Sequence, residues 1–206
     1  MYLPEHFRES RIDVLHAFVE QHPLATLVSN TAQGLTANHL PLLWQVADDG
    51  SRRLRGHVAR GNPLWRQVER AAPVLAIFTG AQHYISPSWY PSKREDGRVV
   101  PTWNYATVHV HGTIQFIDDA AWLRAFVETL TDTHEPHTGE RWRVSDAPAT
   151  YLEGMLRAIV GLEIHVSQIE GKFKASQNRS EADRAGVASA LTALNLSIVE
   201  ISELVR

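Results

Sequence analysis

The sequence contains no cysteine among its 206 residues, which excludes disulfides, thiolate catalysis and zinc–thiolate sites. It also lacks an apolar run long enough to span a membrane, and its first ten residues, MYLPEHFRES, are too polar for a secretion signal. We therefore expect a cytoplasmic protein. A net charge of −3 argues against a protein that binds nucleic acid through bulk electrostatics.

What is present is the composition of an ordinary globular protein, with 44% hydrophobic and 21% charged residues. A chain of this length fits one packed core, and no repeat or linker divides the sequence. We expect a single domain over residues 1–206, with a helical C-terminal segment from about 180 to 206.

Alternating apolar residues bounded by turn residues predict short strands. These strands are 24–30, 35–44 with an irregularity at Pro41, 54–58, 74–79, a short one at 84–85, 106–116 and 161–169. Helices are predicted after a capping box of Ser10 and Asp13, after Asn62-Pro63, at 119–130, at 148–160 and at 197–205. A further helix is predicted after Ser180, which caps it with Asp183 as partner in an S-x-x-D spacing. Strands joined by hairpin-length turns, with short helices between them, predict an α+β protein with an antiparallel barrel.

The sequence offers eleven histidines but no convincing catalytic or metal-binding set. His109 and His111 share one face of the 106–116 strand, and His134 and His137 are close together in HEPH, so either pair could ligate a metal. No carboxylate follows at a recognised spacing and there is no HExxH motif, so we favour solvated or interface histidines and predict no metal site. No nucleophile elbow or acid–base pair is present, and we predict no catalytic residue.

The first of three segments with candidate binding residues is Gly56–Trp65, GHVARGNPLW. Its glycines permit close backbone approach, Arg60 carries a planar donor that matches phosphate, and Asn62-Pro63 opens a helix. A helix N-terminus beside an arginine favours an anion. The segment fits an anion site, and it fits a plain strand–turn–helix junction about equally well.

The second segment, residues 84–105, crowds two Trp, three Tyr and three Pro around a charged break. Small hydrogen-bonding residues are interleaved with the rings: Ser86, Ser88, Thr102 and Asn104. Apolar walls with a few orienting polar groups are typical of a small-ligand pocket, whereas a stiff surface hairpin is the plainer interpretation.

The third segment, Glu170–Arg179 or EGKFKASQNR, follows the last predicted strand. Lys172 and Lys174 share one side of an extended chain, and Gln177, Asn178 and Arg179 add donors before the next helix. The alternative interpretation is a polar strand end followed by a helix cap.

These three segments, together with MYLP and NHLPLL, resemble the PaiB family of FMN-binding negative transcriptional regulators. The specific elements are PSWY, VPTWNY and GKFKASQNR, and they occur in the family's order over nearly the whole chain. The family belongs to the flavin-reductase-like split barrels, which are similar to pyridoxamine phosphate oxidases. The resemblance therefore implies a six-stranded antiparallel split β-barrel with flanking helices, and a homodimer that holds FMN in a groove between subunits.

The resemblance also implies where the residues of this chain would contact FMN. His57, Arg60 and Asn62 would hold the phosphate and ring edge, and Asn38 and His39 would approach the ring or ribityl chain. One set of residues with aromatic rings would close the groove: Ser86, Trp89, Tyr90, Thr102, Trp103 and Asn104. A polar set would line its other end: Lys172, Lys174 and Gln177.

Two functions of different classes are open at this point. The resemblance implies transcriptional regulation, but no helix-turn-helix with a basic recognition helix is evident, so DNA is a possible partner without a visible reading element. The alternative is a flavin-dependent oxidoreductase acting on a small substrate, in which the flavin carries the redox chemistry. A remoter alternative is haem binding, since some split barrels bind haem and histidines are abundant.

Overall fold

The structure is a computed structural model and describes residues 1–135 and 139–194. The predicted helix at 197–205 and His137 lie outside these residues. The strands are β1 (Arg8–Glu9), β2 (Leu24–Thr31), β3 (Gly34–Pro41), β4 (Leu43–Val46), β5 (Arg52–Ala59), β6 (Pro73–Ile85), β7 (Thr102–Ile117) and β8 (Ile159–Lys174). The α-helices are α1 (Ile12–Gln21), α2 (Leu64–Gln67), α3 (Ala120–His134), α4 (Ala149–Arg157) and α5 (Glu181–Ala193).

The strands form one eight-stranded sheet in the order β3-β2-β6-β7-β8-β5-β4, with β1 paired to β8. The α+β class and an antiparallel sheet with flanking helices are confirmed. The predicted strand number is wrong, because the described sheet has eight strands in place of six, and the sheet is not closed. Its two end strands, β3 and β4, follow one another in the chain. They separate at Leu42, whose N–H donates to the carbonyl of Pro23 at 2.9 Å, so β3 pairs only with β2 and β4 only with β5.

The chain divides into two compact units. Unit 1 comprises Met1–His22, Phe78–His109 and Glu170–Arg206, and unit 2 comprises Pro23–Ile77 and Val110–Ile169. The single-domain arrangement stays a prediction.

Unit 2 is built on the antiparallel pairing of β2 with β3, β4 with β5, and β5 with the first half of β8. Alternation along these strands buries one face, with Leu27, Leu54, Leu162 and Ile164 fully inside. Helix α3 covers part of the opposite face of β8, where an added Cβ on Gly161 would lie 2.3 Å from the ring of Trp122. The absence of a side chain at residue 161 therefore lets α3 lie close to the sheet.

Unit 1 packs α1 through its buried residues Leu15, Phe18 and Val19, and the ring of Phe18 lies 5.3 Å from that of Phe173 on β8. The predicted capping box of Ser10 and Asp13 is wrong. The helix begins at Ile12, and no side chain caps it. The carboxylate of Glu9 instead accepts the backbone N–H of Arg11 at 2.7 Å and pairs with its guanidinium.

Two strand predictions need correction. Residues 73–85 form the single strand β6 instead of two separate pieces. In unit 1 the strand passes close to α1 at Gly80, where an added Cβ would lie 2.8 Å from the ring of Phe18. Along β7 the strict alternation predicted for residues 106–116 does not hold in burial. Thr107 is buried as well, with its hydroxyl donating to the carbonyl of Phe78 at 2.9 Å, and Phe116 is only half-buried.

Candidate functional site

In unit 2, Arg60 is engaged by groups of its own chain. Its guanidinium forms two hydrogen bonds to the carboxylate of Asp118 and donates to the carbonyls of Arg157 at 2.7 Å and Ile159 at 3.0 Å. Asp118 holds the pKa of Arg60 above its usual value, and Arg60 holds the pKa of Asp118 below. Four of the five N–H groups of Arg60 are thus used. Its role at a phosphate stays a prediction, and it would require Arg60 to give up some of these hydrogen bonds.

The helix after Asn62-Pro63 is α2, which has only four residues. Asn62 accepts the N–H of Leu64 at 2.9 Å and donates its amide to Asn38 at 2.8 Å, so the structure brings Asn38 and Asn62 together. His39 follows Asn38 on β3 and therefore points to the other face, where its Nδ1 lies 3.1 Å from the hydroxyl of Thr26. Asn38 and His39 therefore cannot both contact one ligand that lies on a single face of β3.

His57 lies on the face of β5 opposite to Leu54 and Val58, beneath α3, with its ring 5.8 Å from that of Phe126. Its Nδ1 is buried without a hydrogen-bond partner. Burial lowers the pKa of His57 from its ordinary value, because desolvation disfavours the charged ring. The histidine is therefore mainly neutral at pH 7.

Two arginines of β5 share one carboxylate within unit 2. Arg53 and Arg55 pair with the buried carboxylate of Glu163 at 3.0 Å and 2.6 Å, and Gln115 also donates to it. These arginines are consequently poor candidates for an anion site.

In unit 1, by contrast, three cations lie close together. We call Lys172, Lys174 and Arg179 the cationic cluster; among the described residues, no carboxylate forms a salt bridge with any of them. Lys172 is 9% exposed and donates to the carbonyl of Tyr2 at 3.0 Å. The amine of Lys174 donates to the hydroxyl of Thr102 at 2.6 Å and to the carbonyl of Trp103.

Aromatic rings surround the same cations. Their centroids lie 4.9 to 5.6 Å from the charged atoms: Tyr2 and Tyr105 at Lys172, Phe7 at Lys174, and Tyr90 at Arg179. Burial, the charge of Lys172 and the charge of Arg179 all lower the pKa of Lys174. The cluster thus carries an excess of positive charge that an anion would relieve.

The predicted aromatic residues also lie in unit 1. Tyr90 is 2% exposed, and its buried hydroxyl has no hydrogen-bond partner among the residues that the structure describes. Trp103, by contrast, is 53% exposed and lies edge-on to Tyr84. Trp89 stacks on His83 with centroids 5.9 Å apart. Ser86 caps the short 3₁₀ helix Pro87–Trp89 by accepting the N–H of Ser88, so its role is local.

Asn104 and Gln177 stabilise the loop that carries the cluster. Asn104 is buried and shares two hydrogen bonds with Ser176, whose φ of 64° is in the left-handed region that non-glycine residues rarely adopt. Gln177 accepts the N–H of Ala175 at 2.7 Å and donates to the carbonyl of Phe173. Both amides are therefore occupied in holding the loop between Lys174 and Arg179.

Sequence reasoning missed three participants. Tyr2 precedes every predicted element, Asp118 is distant in sequence from Arg60, and Asp183 was expected only near a helix cap. Tyr2 lies in MYLP, which carried part of the family resemblance but gave no role to the ring. No local pattern marks Asp118, while the S-x-x-D spacing from Ser180 marked Asp183 as a capping residue only.

The comparisons with known proteins agree with the resemblance found in the sequence. The family model described as "Putative FMN-binding domain" matches residues 1–168. The chain is 35% identical over 191 residues to "Protease synthase and sporulation protein PAI 2" of Bacillus subtilis, covering 93% of this chain and 89% of the relative. The chain belongs to this FMN-binding family.

Solved structures share the fold. The flavocytochrome Anf3 of Azotobacter vinelandii matches with a TM-score of 0.62 at 14% identity, over 87% of this chain and 75% of that chain. The FAD- and haem-binding protein of Mycobacterium smegmatis matches with a TM-score of 0.62 at 19% identity, over 89% and 80%. At these identities the likeness shows the fold alone. With the family, it establishes an FMN-binding split-barrel protein of the PaiB type, with FMN as its cofactor.

The residues of unit 1 fit such a cofactor on chemical grounds. FMN combines a phosphate with a flat ring. The cationic cluster combines three positive charges, which form no salt bridge within the described residues, with aromatic walls and with a Tyr90 hydroxyl that has no hydrogen-bond partner there. In the described part of the chain no helix is long and apolar enough to cross a membrane.

Proposed function

We propose that this protein is an FMN-binding regulator of the PaiB type and that the cationic cluster of unit 1 holds the FMN phosphate. The observation that carries the assignment is the absence of any salt bridge to Lys172, Lys174 and Arg179 within the described residues. Arg60, by contrast, already has Asp118 as its counter-ion.

The energetic reason is desolvation. A half-buried amine beside two further cations is disfavoured in its charged form, and this is why the pKa of Lys174 is lowered. A phosphate dianion would supply opposite charge and charge-assisted hydrogen bonds, which are shorter and stronger than neutral ones. Binding of the phosphate would relieve the repulsion between Lys174 and the charges of Lys172 and Arg179, and this relief would favour binding.

The test compares FMN with riboflavin, which lacks only the phosphate. We expect the purified protein, stripped of flavin, to bind FMN more tightly than riboflavin. Lys174→Gln should weaken FMN binding by about 10- to 100-fold, the equivalent of one charge-assisted hydrogen bond, and should leave riboflavin binding nearly unchanged. Quenching of flavin fluorescence measures both affinities.

The chain offers a matched control in Lys93, an exposed lysine of the same unit whose amine contacts only Ser88. Lys93→Gln removes the same charge and should change neither affinity. If Lys174→Gln lowers the two affinities equally, the phosphate lies elsewhere, and Arg60→Gln is the next variant to measure.

Regulation by direct DNA binding receives little support from the described helices. Each of α1, α3, α4 and α5 carries at least as many carboxylates as Lys and Arg side chains, and such surfaces repel phosphate. The Bacillus subtilis relative is named for protease synthesis and sporulation. We therefore propose that regulation proceeds through a partner protein or a small molecule; a gel shift at moderate salt that shows sequence preference would overturn this.

The second candidate is a flavin-dependent oxidoreductase. The observation in its favour is the exposed pair of rings, Trp103 and Tyr84, at 53% and 44%, which leaves an aromatic surface open to a second flat molecule. Multiple turnovers of a reduced nicotinamide or deazaflavin by the FMN-loaded protein would support it, whereas a single stoichiometric reduction would not.

We also propose a cytoplasmic homodimer, as in the split barrels that the sequence resembles. Light scattering after gel filtration would give the mass of the FMN-loaded protein. A mass of one chain of 23.1 kDa at micromolar concentration would exclude the dimer.

A further inference from the structure

We propose that Asp183 is a positioning residue for the flavin site: through Ser92 it holds the segment 86–94, which carries Trp89 and Tyr90, against α5. The inference rests on the proposed role of the cationic cluster. It assigns a binding function to α5, a helix beyond the residues matched by the family model.

The contacts of Asp183 are unusual for a residue in the first turn of a helix. Its side chain is buried, with 4% of the residue exposed. One carboxylate oxygen accepts the backbone N–H of Ser92 at 3.1 Å, and the other accepts the hydroxyl of Ser92 at 2.8 Å. Both oxygens are thus engaged by one residue of the 3₁₀ helix Pro91–Arg94, and the carboxylate serves the segment 86–94 in addition to its own helix.

The packing around these hydrogen bonds leaves no space between α5 and the segment. An added Cβ on Gly186 would lie 2.1 Å from the carbonyl oxygen of Trp89 and 3.1 Å from Pro91. Val187 and Leu191 form a buried cluster with Ile85 and Tyr90. Helix α5 therefore packs against both the backbone of this segment and the buried ring of Tyr90.

Arg179 links this contact to the cationic cluster. Its guanidinium lies 4.9 Å above the ring of Tyr90, and it immediately precedes Ser180, the N-cap of α5. Burial opposes the ionisation of Asp183, but the hydrogen bonds from Ser92 and Ser180 and the charge of Arg179 outweigh it, so the pKa of Asp183 is lowered. The carboxylate is ionised at neutral pH and keeps its hold on Ser92.

Release of the segment would alter the site in a specific way. Tyr90 would leave its place beneath Arg179, and Arg179 would lose the ring that restricts its guanidinium. The exposed Lys93 and Arg94, which follow Ser92, would become more accessible to trypsin. Positioning and protection from cleavage should therefore be lost together.

The experiment uses Asp183→Asn, which keeps the shape and removes the charge. In the flavin-free protein we expect trypsin to cleave after Lys93 or Arg94 about tenfold faster, because a buried charged acceptor is lost. We expect FMN affinity to fall by about 5- to 10-fold, and the visible circular dichroism of FMN at saturation to change because Tyr90 and Arg179 are no longer held in place.

The matched control is Glu181→Gln, which removes an exposed carboxylate from the same helical turn and so controls for the helix dipole. It should leave the cleavage rate, the affinity and the dichroism unchanged. Ser92→Ala is a milder second variant, in case Asp183→Asn folds poorly. Its effect should be largely absent in the Asp183→Asn background, because the two residues act through one contact.

The outcomes separate the two proposals. Faster cleavage with unchanged FMN affinity and dichroism would show that Asp183 has only a structural role. An unchanged cleavage rate would refute the proposal that Asp183 holds the segment 86–94 against α5. The comparison of FMN with riboflavin, made with Lys174→Gln, tests the phosphate site. The cleavage rate is measured without flavin, so the phosphate assignment can fail while the role of Asp183 in holding the segment is still decided.

Discussion

At the scale of single residues, the state of Lys174 makes FMN binding depend on pH. Its pKa is lowered in the free protein by burial and by Lys172 and Arg179, and a bound phosphate would raise it again. Between these two pKa values binding takes up a proton. FMN affinity should therefore fall as the pH rises through the lowered pKa towards the ordinary value of 10.5.

The measurement is the ratio of FMN to riboflavin affinity, because titration of the shared ring cancels in the ratio. In Lys174→Gln the ratio should be flat over the same alkaline range. A ratio that falls equally in this variant would assign the titration to another group.

A second residue-scale prediction concerns Asn104, which is 6% exposed and bonds Ser176 in its left-handed conformation. Asn104→Ala leaves the hydroxyl of Ser176 without this partner and should lower the free energy of unfolding by about 1–3 kcal/mol. Urea denaturation measures the change. Asn178→Ala, at an exposed position of the same loop, should be nearly neutral; an equal loss there would refute a specific role of Asn104.

At the scale of elements, the seating of α3 on β8 depends on Gly161. An added methyl group would lie 2.3 Å from the ring of Trp122, so Gly161→Ala should lower the free energy of unfolding by about 1–3 kcal/mol through overpacking. The control is Gly154→Ala on α4, where an added Cβ meets nothing within 4 Å. Gly154→Ala should raise the free energy of unfolding by roughly 0.5–1 kcal/mol, because alanine favours a helix. Thermal or urea unfolding should therefore show changes of opposite sign for Gly161→Ala and Gly154→Ala.

At the scale of the whole molecule, FMN should stabilise the folded chain by mass action. At 100 times its dissociation constant a ligand contributes about 2.7 kcal/mol, which for a chain of this size raises the Tm by roughly 5–10 °C. Differential scanning calorimetry with added FMN would measure the shift. Riboflavin at the same concentration should give a smaller one, and an equal shift would contradict a phosphate site.

Several elements could be predicted because their signals are local. The N-cap of α5 is Ser180, as the S-x-x-D spacing predicted, and the strand containing Pro41 does break beside it, at Leu42. The continuity of β6 could not be predicted, because residues 79–83 lack apolar alternation. Its pairing and the packing of Phe18 on Gly80 depend on residues far away in the chain.

The motifs PSWY, VPTWNY and GKFKASQNR were sufficient to recognise the FMN-binding family, since each combines residue types at fixed local spacing. Local spacing cannot show which cations have counter-ions. The sequence favoured Arg60 for the phosphate and placed Lys174 at the other end of the groove. The fold gives Arg60 the carboxylate of Asp118, 58 residues away, whereas the described contacts of Lys174 are with further cations, neutral oxygens and the ring of Phe7. Charge compensation is a property of contacts in space, and only the folded chain distinguishes a structural arginine from a lysine that can receive an anion.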